Sequence, residues 1–359
     1  MKVKREHLIE GCILQRDIIG KSRYPIIKAN TVLEQEHLHV LEAFLVQDVH
    51  VKDKLKDGQS FQPQSQQSVG KPPSTMGDGS LRDQYIYAVE QFKQQFTYWE
   101  SGWPINILEI RQLIIPILQD FLNNKKTLLL LNQYASKEDY IYHHCVTVGL
   151  LSGFIADKLG YSCDQIHSIA VAGLLADSGM AKMPPHIFRK HRSLTPQERD
   201  RLKMHPILSY RLVKSLPTIS DEMALAILQH HEREDGTGYP HQFKSQKIHA
   251  HAKIIAVADV FHAMVSERIY KKGKSPFQVL ELMRMDHFGQ FEQRILDIFV
   301  NEVVNSFKGT KVYLSNQREG TVVFIQAQSP TRPMVQLTDG QILSLSDDRS
   351  LHIEKILDH

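Results

Sequence analysis

The 359-residue chain lacks the features that mark a secreted, membrane-spanning or nucleic-acid-binding protein. Its three cysteines are few and unpatterned, which indicates a reducing compartment without disulfides. No apolar run approaches the ~20 residues of a membrane-spanning helix, and the N-terminus has no apolar segment of signal-peptide length. The formal net charge of +3 comes without a Lys/Arg-rich element, which argues against a nucleic-acid partner. We therefore expect a soluble, cytoplasmic protein with no membrane contact.

The sequence pattern changes several times along the chain. Helical spacing over Glu34–Phe44, followed by a short strand at Val49–Val51, predicts a small N-terminal α/β module. A Gln-, Ser-, Pro- and Gly-rich stretch then predicts a flexible linker. The spacing is helical from Leu81 onward, and after Gly309 the apolar period becomes two, which predicts a small β domain. The predicted parts are the N-terminal module (1–56), the linker (57–80), a helical lead-in (81–134), a helical domain (135–307) and the β domain (308–359).

Histidine is the one residue type that is clustered. Twelve of the 19 histidines lie between His143 and His262. Five short segments there carry residues able to bind a metal: YHHCVTV at 142–148, Ala176-Asp177, His205-Pro206, HHEREDGTGYP at 230–240, and ADVFH at 258–262. A lone histidine on an apolar helix is more often structural than a ligand, so no single segment decides the function.

The adjacent pair His230-His231 is more informative. Neighbouring side chains on a helix diverge by about 100°, so two adjacent imidazoles converge on one ion only where a helix ends. The Gly-rich loop that follows predicts such an end. Imidazole and carboxylate ligands drawn from several helices suit a non-haem Fe, Mn or Zn centre, in which one carboxylate can bridge two ions.

The order and spacing of these segments resemble the HD superfamily of metal-dependent phosphohydrolases, and HHEREDGTGYP is similar to the signature of its HD-GYP branch. The resemblance covers about half the chain. It implies a mainly α fold with an HD-type helical bundle core, and hydrolysis of cyclic di-GMP or a related nucleotide at a centre of divalent ions such as Fe or Mn. The implied metal ligands are His144, Asp177, His205, His230, His231 and Asp259, with Asp177 bridging two ions and serving as the catalytic carboxylate. The implied substrate contacts are Gly238, Tyr239, Pro240 and Arg268.

The chain departs from the family pattern in the motif that gives the family its name. Ala176 replaces the histidine of the His-Asp pair, and Met180 replaces a lysine that meets a phosphate. Tyr140 stands where members with three metals carry Glu, so we expect one or two ions. His262, one helical turn after Asp259, either supplies the missing imidazole or is an ordinary hydrogen-bonded residue. Lys182, two residues after Met180, either takes the place of the lost lysine at the phosphate or makes no contact with it.

Two functions therefore remain open on sequence grounds. One is a cyclic di-GMP phosphodiesterase weakened by Ala176 and Met180. The other is an inactive HD-GYP protein that senses the dinucleotide or engages protein partners. A third hypothesis is a phosphohydrolase that acts on another nucleotide. The sequence leaves open whether the chain forms a homodimer. Beside the histidine pair, Glu232, Arg233 and Asp235 are predicted to shape the loop, and Cys145 is not expected to act as a nucleophile.

Overall fold

A computed structural model describes residues 2–4, 8, 11–19, 25–34, 37, 41, 48–52, 54–56, 61, 80–124, 139–184, 187, 195–216, 218–267, 273–285 and 288–357. The chain separates into two compact units, Met1–Ser74 and Thr75–His359. The division into five parts stays a prediction. Most of the predicted linker, and most of the predicted helix at Glu34–Phe44, lie outside the described residues. Among the described helices, none combines the length and the apolar character that crossing a membrane requires.

The N-terminal unit has its own small core and short antiparallel strands. Strand β1 (Lys2–Lys4) pairs with β4 (Asp48–His50), and β2 (Ile18–Ile19) pairs with β3 (Pro25–Ile27). Leu14, Leu33 and Val51 are among the fully buried side chains of this core. The strand predicted at Val49–Val51 coincides with β4 to within one residue, whereas β1, β2 and β3 were not predicted.

The second unit is mainly α, as predicted. Its helices are α1 (Leu81–Glu100), α2 (Ile107–Asn123), α3 (Tyr140–Lys158), α4 (Cys163–Leu175), α5 (Pro196–Leu202), α6 (His205–Val213), α7 (Asp221–Gln229), α8 (Ala250–Val265), α9 (Pro276–Met285) and α10 (Gln293–Ser306). Two 3₁₀ helices span Ser178–Lys182 and Ser245–Lys247.

Helix α3 is the centre of the bundle. Every residue from Tyr142 to Ala156 is buried, because α3 packs against α1, α2, α4, α8 and α10. A helix enclosed in this way is apolar on all faces, so a polar side chain on it needs a buried partner. That requirement applies to His143 and His144.

Local sequence signals fix where several helices begin. The Thr195 hydroxyl accepts from the Glu198 backbone, and the Glu198 carboxylate accepts from the Thr195 backbone, which forms a capping box at the start of α5. Ser275 and Gln278 make the same reciprocal pair before α9. These caps satisfy backbone N–H groups that the first helical turn leaves without partners.

The C-terminal strands form one antiparallel sheet in the order β8-β7-β6-β5-β9. The strands are β5 (Lys311–Leu314), β6 (Glu319–Phe324), β7 (Met334–Leu337), β8 (Ile342–Ser344) and β9 (Ile353–Ile356). All five lie after Gly309, where the apolar period of two predicted a small β domain. The sheet is tied to α9, since the Ser275 hydroxyl donates to the Ile353 carbonyl at 2.5 Å and Arg332 pairs with Glu281 at 2.6 Å.

Candidate metal centre

The six predicted metal ligands come together from five parts of the helical bundle. His144 lies in α3 and Asp259 in α8, whereas Asp177 directly follows α4 and its C-cap residue. His205 is the first residue of α6. Helix α7 ends at Gln229, so the adjacent His230 and His231 follow its end, as the divergence argument predicted.

Four of these residues form one compact group, which we call the four-donor group: Asp177, His205, His230 and His231. One ligand atom from each lies within 4.8 Å of the others. The Nε2 atom of His205 is 2.9 Å from Oδ1 of Asp177 and 3.3 Å from Nε2 of His230. This donor set, three imidazoles and one carboxylate, suits Zn, Fe or Mn.

In His205 and His230, the hydrogen bond made by Nδ1 determines whether Nε2, which faces Asp177, carries a proton or a lone pair. The Nδ1 atom of His205 donates to the Leu202 carbonyl at 2.7 Å, and that of His230 donates to the Ile227 carbonyl at 2.7 Å. Because a carbonyl oxygen only accepts, both Nδ1 atoms carry the proton of a neutral ring, and both Nε2 atoms present lone pairs. Two lone pairs facing a carboxylate oxygen require a cation between them, either a proton or a metal ion. The group therefore fits a divalent metal.

The second cluster consists of His144, Asp177 and Asp259. The Nε2 atom of His144 lies 3.0 Å from Oδ1 of Asp259 and 3.5 Å from Oδ2 of Asp177. The Oδ1 atom of Asp177 faces the rings of the four-donor group instead. The two oxygens of Asp177 thus point to different sets of imidazoles, which is the geometry a bridging carboxylate needs.

Close backbone packing holds Asp177 in this position. Gly179, two residues later, lies against α6, and a Cβ on it would stand 2.3 Å from the His205 carbonyl oxygen and 2.4 Å from the Ser209 nitrogen. Its own N–H donates to the Ser209 hydroxyl at 2.8 Å. Only glycine allows this approach, which brings Asp177 beside His205.

The electrostatics of the cluster keep its carboxylates ionised. Burial alone would raise the pKa of Asp177, but when the cation between the groups is a proton, the charge of His205 and the hydrogen bonds that His205 and His230 then donate lower it well below its usual value. The pKa of Asp259 is also lowered, because the charge of His231 and the hydrogen bond from His144 outweigh burial. Burial would lower the pKa of His205, yet Asp177 raises it. Burial and the neighbouring His230 lower the pKa of His231.

The residues that depart from the family pattern are core residues. Ala176 is 3% exposed and Met180 is 7% exposed, and both belong to the main apolar core. The Nζ atom of Lys182 donates to the Trp99 carbonyl, so this lysine is held on the α1 side and does not replace the lost phosphate contact. Burial and the carboxylates of Asp177 and Asp259 raise the pKa of the Cys145 thiol, which keeps it protonated and a poor nucleophile.

The loop after His231 is built around a buried carboxylate. Glu232 accepts from the backbone N–H of His241 at 2.7 Å and of Phe243 at 3.0 Å, which agrees with its predicted role in shaping the loop. A Cβ on Gly238 would stand 2.4 Å from the His231 carbonyl oxygen, so the loop folds back tightly on the histidine pair. This turn stacks the Tyr239 ring on His231, with centroids 4.6 Å apart.

Burial and the charges of Asp259 and Asp177 raise the pKa of Tyr239, so its hydroxyl is neutral. Pro240 follows in the same loop, half-buried. The predicted substrate contact Arg268 lies outside the described residues. Roles for Gly238, Tyr239, Pro240 and Arg268 in binding substrate remain predictions.

The sequence did not reveal the residues that orient the ligands. The Leu202 and Ile227 carbonyls each lie three residues before the histidine they fix, but Leu202 ends one helix and His205 begins the next, so periodicity gives no signal. His262 was weighed as a ligand, yet it lies 2.9 Å from Nδ1 of His144, the nitrogen that does not face the carboxylates. Helical spacing could have indicated two contacts, each between residues four apart: that of Ser266 with His262 and that of Tyr140 with His144.

Known proteins resemble this chain over the same region. A family model described as an HD domain matches residues 116–290, which include all six predicted ligands. A cyclic di-GMP phosphodiesterase of Pseudomonas aeruginosa is 30% identical over 236 residues, 66% of this chain and 57% of the relative. Another of Thermotoga maritima is 34% identical over 217 residues, 56% of this chain and 58% of the relative. The chain thus spans less than two thirds of the length of these relatives.

A solved structure shares the fold. It is that of a HDG"Y"P protein from Bdellovibrio bacteriovorus, with a TM-score of 0.52 and 16% sequence identity, and the match covers 85% of this chain and 99% of that one. The HD-domain match, these relatives and the HHEREDGTGYP segment agree with one another. The chain therefore contains an HD domain over residues 116–290, and its HHEREDGTGYP segment is similar to the signature of the HD-GYP branch of that family.

Proposed function

We propose that this chain is a metal-dependent phosphodiesterase that hydrolyses cyclic di-GMP. The relatives carrying that activity in their names support the substrate, and an HD domain implies divalent metal ions. The observation that carries the proposal is the position of Asp177. Its Oδ1 atom is 2.9 Å from His205 and its Oδ2 atom is 3.5 Å from His144, so one carboxylate serves two groups of nitrogen donors.

Each residue then has a defined task. Asp177, His205, His230 and His231 would hold one ion, and His144, Asp177 and Asp259 would hold a second, weaker one. When bound, such ions neutralise phosphate charge and make a water acidic enough to attack phosphorus at neutral pH. The neutral hydroxyl of Tyr239 donates a hydrogen bond to a phosphate oxygen. Contacts from Gly238, Pro240 and Arg268 rest on the family resemblance.

A second candidate is a protein that binds the dinucleotide or a protein partner without cleaving it. Specific observations favour it: Ala176 offers no donor, Met180 is buried in the core, and Lys182 is bound to the Trp99 carbonyl. Losing one donor of a transition-state clamp costs about 3–4 kcal/mol in well-studied sites, which lowers turnover several hundredfold. Weak hydrolysis and pure binding are therefore the two outcomes to separate.

The deciding experiment combines metal analysis with turnover. Protein purified without oxygen is assayed for bound ions, then for conversion of cyclic di-GMP to linear product with added Mn²⁺ or Fe²⁺. The Asp177→Asn variant is the matched control, because it keeps the side-chain shape and removes the bridging charge. Two ions and linear product, both lost in the variant, support the phosphodiesterase. Tight binding with at most one ion and no product supports the second candidate, and the absence of both binding and turnover refutes cyclic di-GMP as the ligand under either candidate.

We also propose the cytoplasm as the location, which the free cysteines Cys12, Cys145 and Cys163 support. A homodimer and protein partners stay predictions. A substrate screen should include a mixed cyclic GMP-AMP dinucleotide, since a relative in Vibrio cholerae is named a 3'3'-cGAMP-specific phosphodiesterase. Preference for that nucleotide would change the substrate while leaving the reaction class intact.

A further inference from the structure

The buried histidine His262 contacts His144 from outside the metal centre. Its side chain lies on α8, three residues after Asp259, and the residue is 1% exposed. Its Nδ1 atom is 2.9 Å from Nδ1 of His144, and its Nε2 atom is 3.0 Å from the Ser266 hydroxyl. The other ring nitrogen of His144, Nε2, faces Asp259 at 3.0 Å. His262 therefore touches the outer nitrogen of His144, not the inner one.

The positions of the protons follow from these distances. Two nitrogens 2.9 Å apart share one hydrogen, so one of the two Nδ1 atoms donates and the other accepts. If His262 donates, His144 as a neutral ring carries its proton on Nε2 and donates it to Asp259. If His144 donates, its Nε2 has a free lone pair, and His262 donates its own Nε2 proton to Ser266. Only the second arrangement lets His144 bind a metal ion.

We propose that His262 is a positioning residue that accepts the Nδ1 proton of His144 and so keeps Nε2 of His144 free to bind the second ion. This inference rests on the proposed two-ion centre and adds to it a residue outside the ligand set. Metal-binding histidines commonly donate their outer N–H to such a partner, which fixes the tautomer and the ring orientation. Here the partner is itself an imidazole, with Ser266 as the end of the chain.

Tyr140 supports the same arrangement from another side. Its hydroxyl is 3.1 Å from Nδ1 of His144. Its ring stacks on His144 with centroids 5.3 Å apart and lies nearly parallel to the His262 ring at 6.3 Å. A tyrosine hydroxyl donates or accepts equally well, so Tyr140 alone does not select a tautomer. Stacking of the Tyr140 ring on His144 limits rotation of the His144 ring, so its Nδ1 atom stays directed at Nδ1 of His262.

The contact between His262 and His144 matters more for metal binding in this chain than it would in a centre with a complete ligand set. Ala176 supplies no imidazole, so among the described residues His144 is the ring of the second cluster that is not shared with the four-donor group; Nδ1 of His231, which belongs to that group, lies 3.5 Å from Oδ2 of Asp259. Loss of an outer partner lowers metal affinity about 10- to 100-fold in comparable sites. We expect a loss of that size for the weaker ion, with the four-donor group unaffected.

The test uses three substitutions at one position. In His262→Asn the side-chain oxygen lies where Nδ1 of histidine lies, so the acceptor for His144 is kept. In His262→Gln the oxygen reaches the Nε2 position, so the contact with Ser266 is kept and the acceptor is lost. His262→Ala loses both. His251→Ala is the matched control, because His251 is also buried on α8 and is not among the proposed ligands or their partners.

Two measurements are made with Zn²⁺ as the probe. Chelator competition gives the affinity for each ion, and long-range ¹H–¹⁵N NMR of ¹⁵N-histidine protein reports which nitrogen of His144 carries a proton. We expect the weaker affinity to fall about 10- to 100-fold in the Ala and Gln variants and to stay within threefold of wild type in the Asn variant and the control. In the zinc-loaded wild type, Nδ1 of His144 should be protonated.

Several results would overturn the inference. Equal affinities in the wild-type, Ala and Gln proteins would show that the contact has no effect, and a proton on Nε2 of His144 in the zinc-loaded protein would show the wrong tautomer. Failure of the Asn variant to retain the weaker ion would instead make His262 a ligand or a purely structural residue. A wild-type protein that binds one ion also refutes the inference, while leaving the four-donor group intact. No zinc binding by the wild type refutes the proposed function itself.

Discussion

The two clusters of donors should bind metal with very different affinities, and replacing Asp259 should weaken mainly the second, because its contact with His231 of the four-donor group is the longer one, 3.5 Å against 3.0 Å to His144. The four-donor group offers three imidazoles and a carboxylate. The second cluster has His144, Asp259 and the other oxygen of Asp177. Structural zinc sites with four ligands bind with roughly 10–16 kcal/mol, or about 3 kcal/mol per ligand. One ligand fewer therefore weakens binding by about two orders of magnitude.

The perturbation is Asp259→Asn, compared with His205→Ala. The Asp259 carboxylate contacts His144 at 3.0 Å, whereas His205 belongs to the four-donor group. We expect Asp259→Asn to keep the tight ion, to lose the weak one and to lose hydrolysis of cyclic di-GMP. His205→Ala should weaken the tight ion about 100-fold, by the same energy per ligand. Both affinities are measured by titration against a chelator, with total metal content as a check.

The reasoning fails if Asp259→Asn still binds two ions with wild-type affinities, or if His205→Ala leaves the tight ion unchanged. Thermal unfolding of each variant serves as the control, because a misfolded protein would lose both ions together. Full hydrolysis by Asp259→Asn with one ion bound would show that the second ion is not needed for the reaction.

Three further predictions concern residues around the centre. Ala176→His combined with Met180→Lys should raise turnover of cyclic di-GMP at least tenfold, and steady-state kinetics should show no gain if the defect lies elsewhere. Glu232→Gln should lower the free energy of unfolding by about 1–3 kcal/mol, because the buried carboxylate accepts hydrogen bonds from two backbone N–H groups. The measurement is unfolding in urea, and an unchanged midpoint would contradict the prediction. Burial lowers the pKa of His143 to about 4 from 6.5 in the unfolded chain. Its contribution to stability is therefore complete above pH 6.5 and is lost toward pH 4, by at most about 3 kcal/mol. His143→Gln should make the free energy of unfolding less dependent on pH over that range. Identical pH profiles for the variant and the wild type would refute the lowered pKa of His143.

Local signals were sufficient to predict most of the helical unit. The helical spacing of apolar residues from Leu81 onward predicted its helical character, since such spacing depends on neighbours in sequence. The end of α7 after Gln229 was predicted from the divergence of two adjacent side chains. Strand β9 was not predicted, because its partner β5 lies about 40 residues away and strand pairing carries no local mark.

The ligand set was predicted from the resemblance of five short segments to one family, but its arrangement was not. No sequence pattern assigns the Oδ1 atom of Asp177 to His205 and the Oδ2 atom to His144. That assignment depends on the close packing of Gly179 against α6, which is a contact between distant segments. Likewise, His262 was weighed as a ligand because it shares a helical face with Asp259. Which side of His144 it meets depends on the packing of α8 against α3.

The losses in the HD motif have a physical consequence beyond the missing donor. A histidine and a lysine at positions 176 and 180 would be buried polar groups, and each would need a metal or phosphate partner to offset its desolvation. Ala176 and Met180 need no such partner and add to the apolar core. The fold of this chain should therefore depend less on bound metal at that side of the centre. The four-donor group differs, because the lone pairs of His205 and His230 still require a cation between them. We therefore expect the four-donor group to bind one ion by itself, whereas a second ion would depend on His144 and on the partners that orient it.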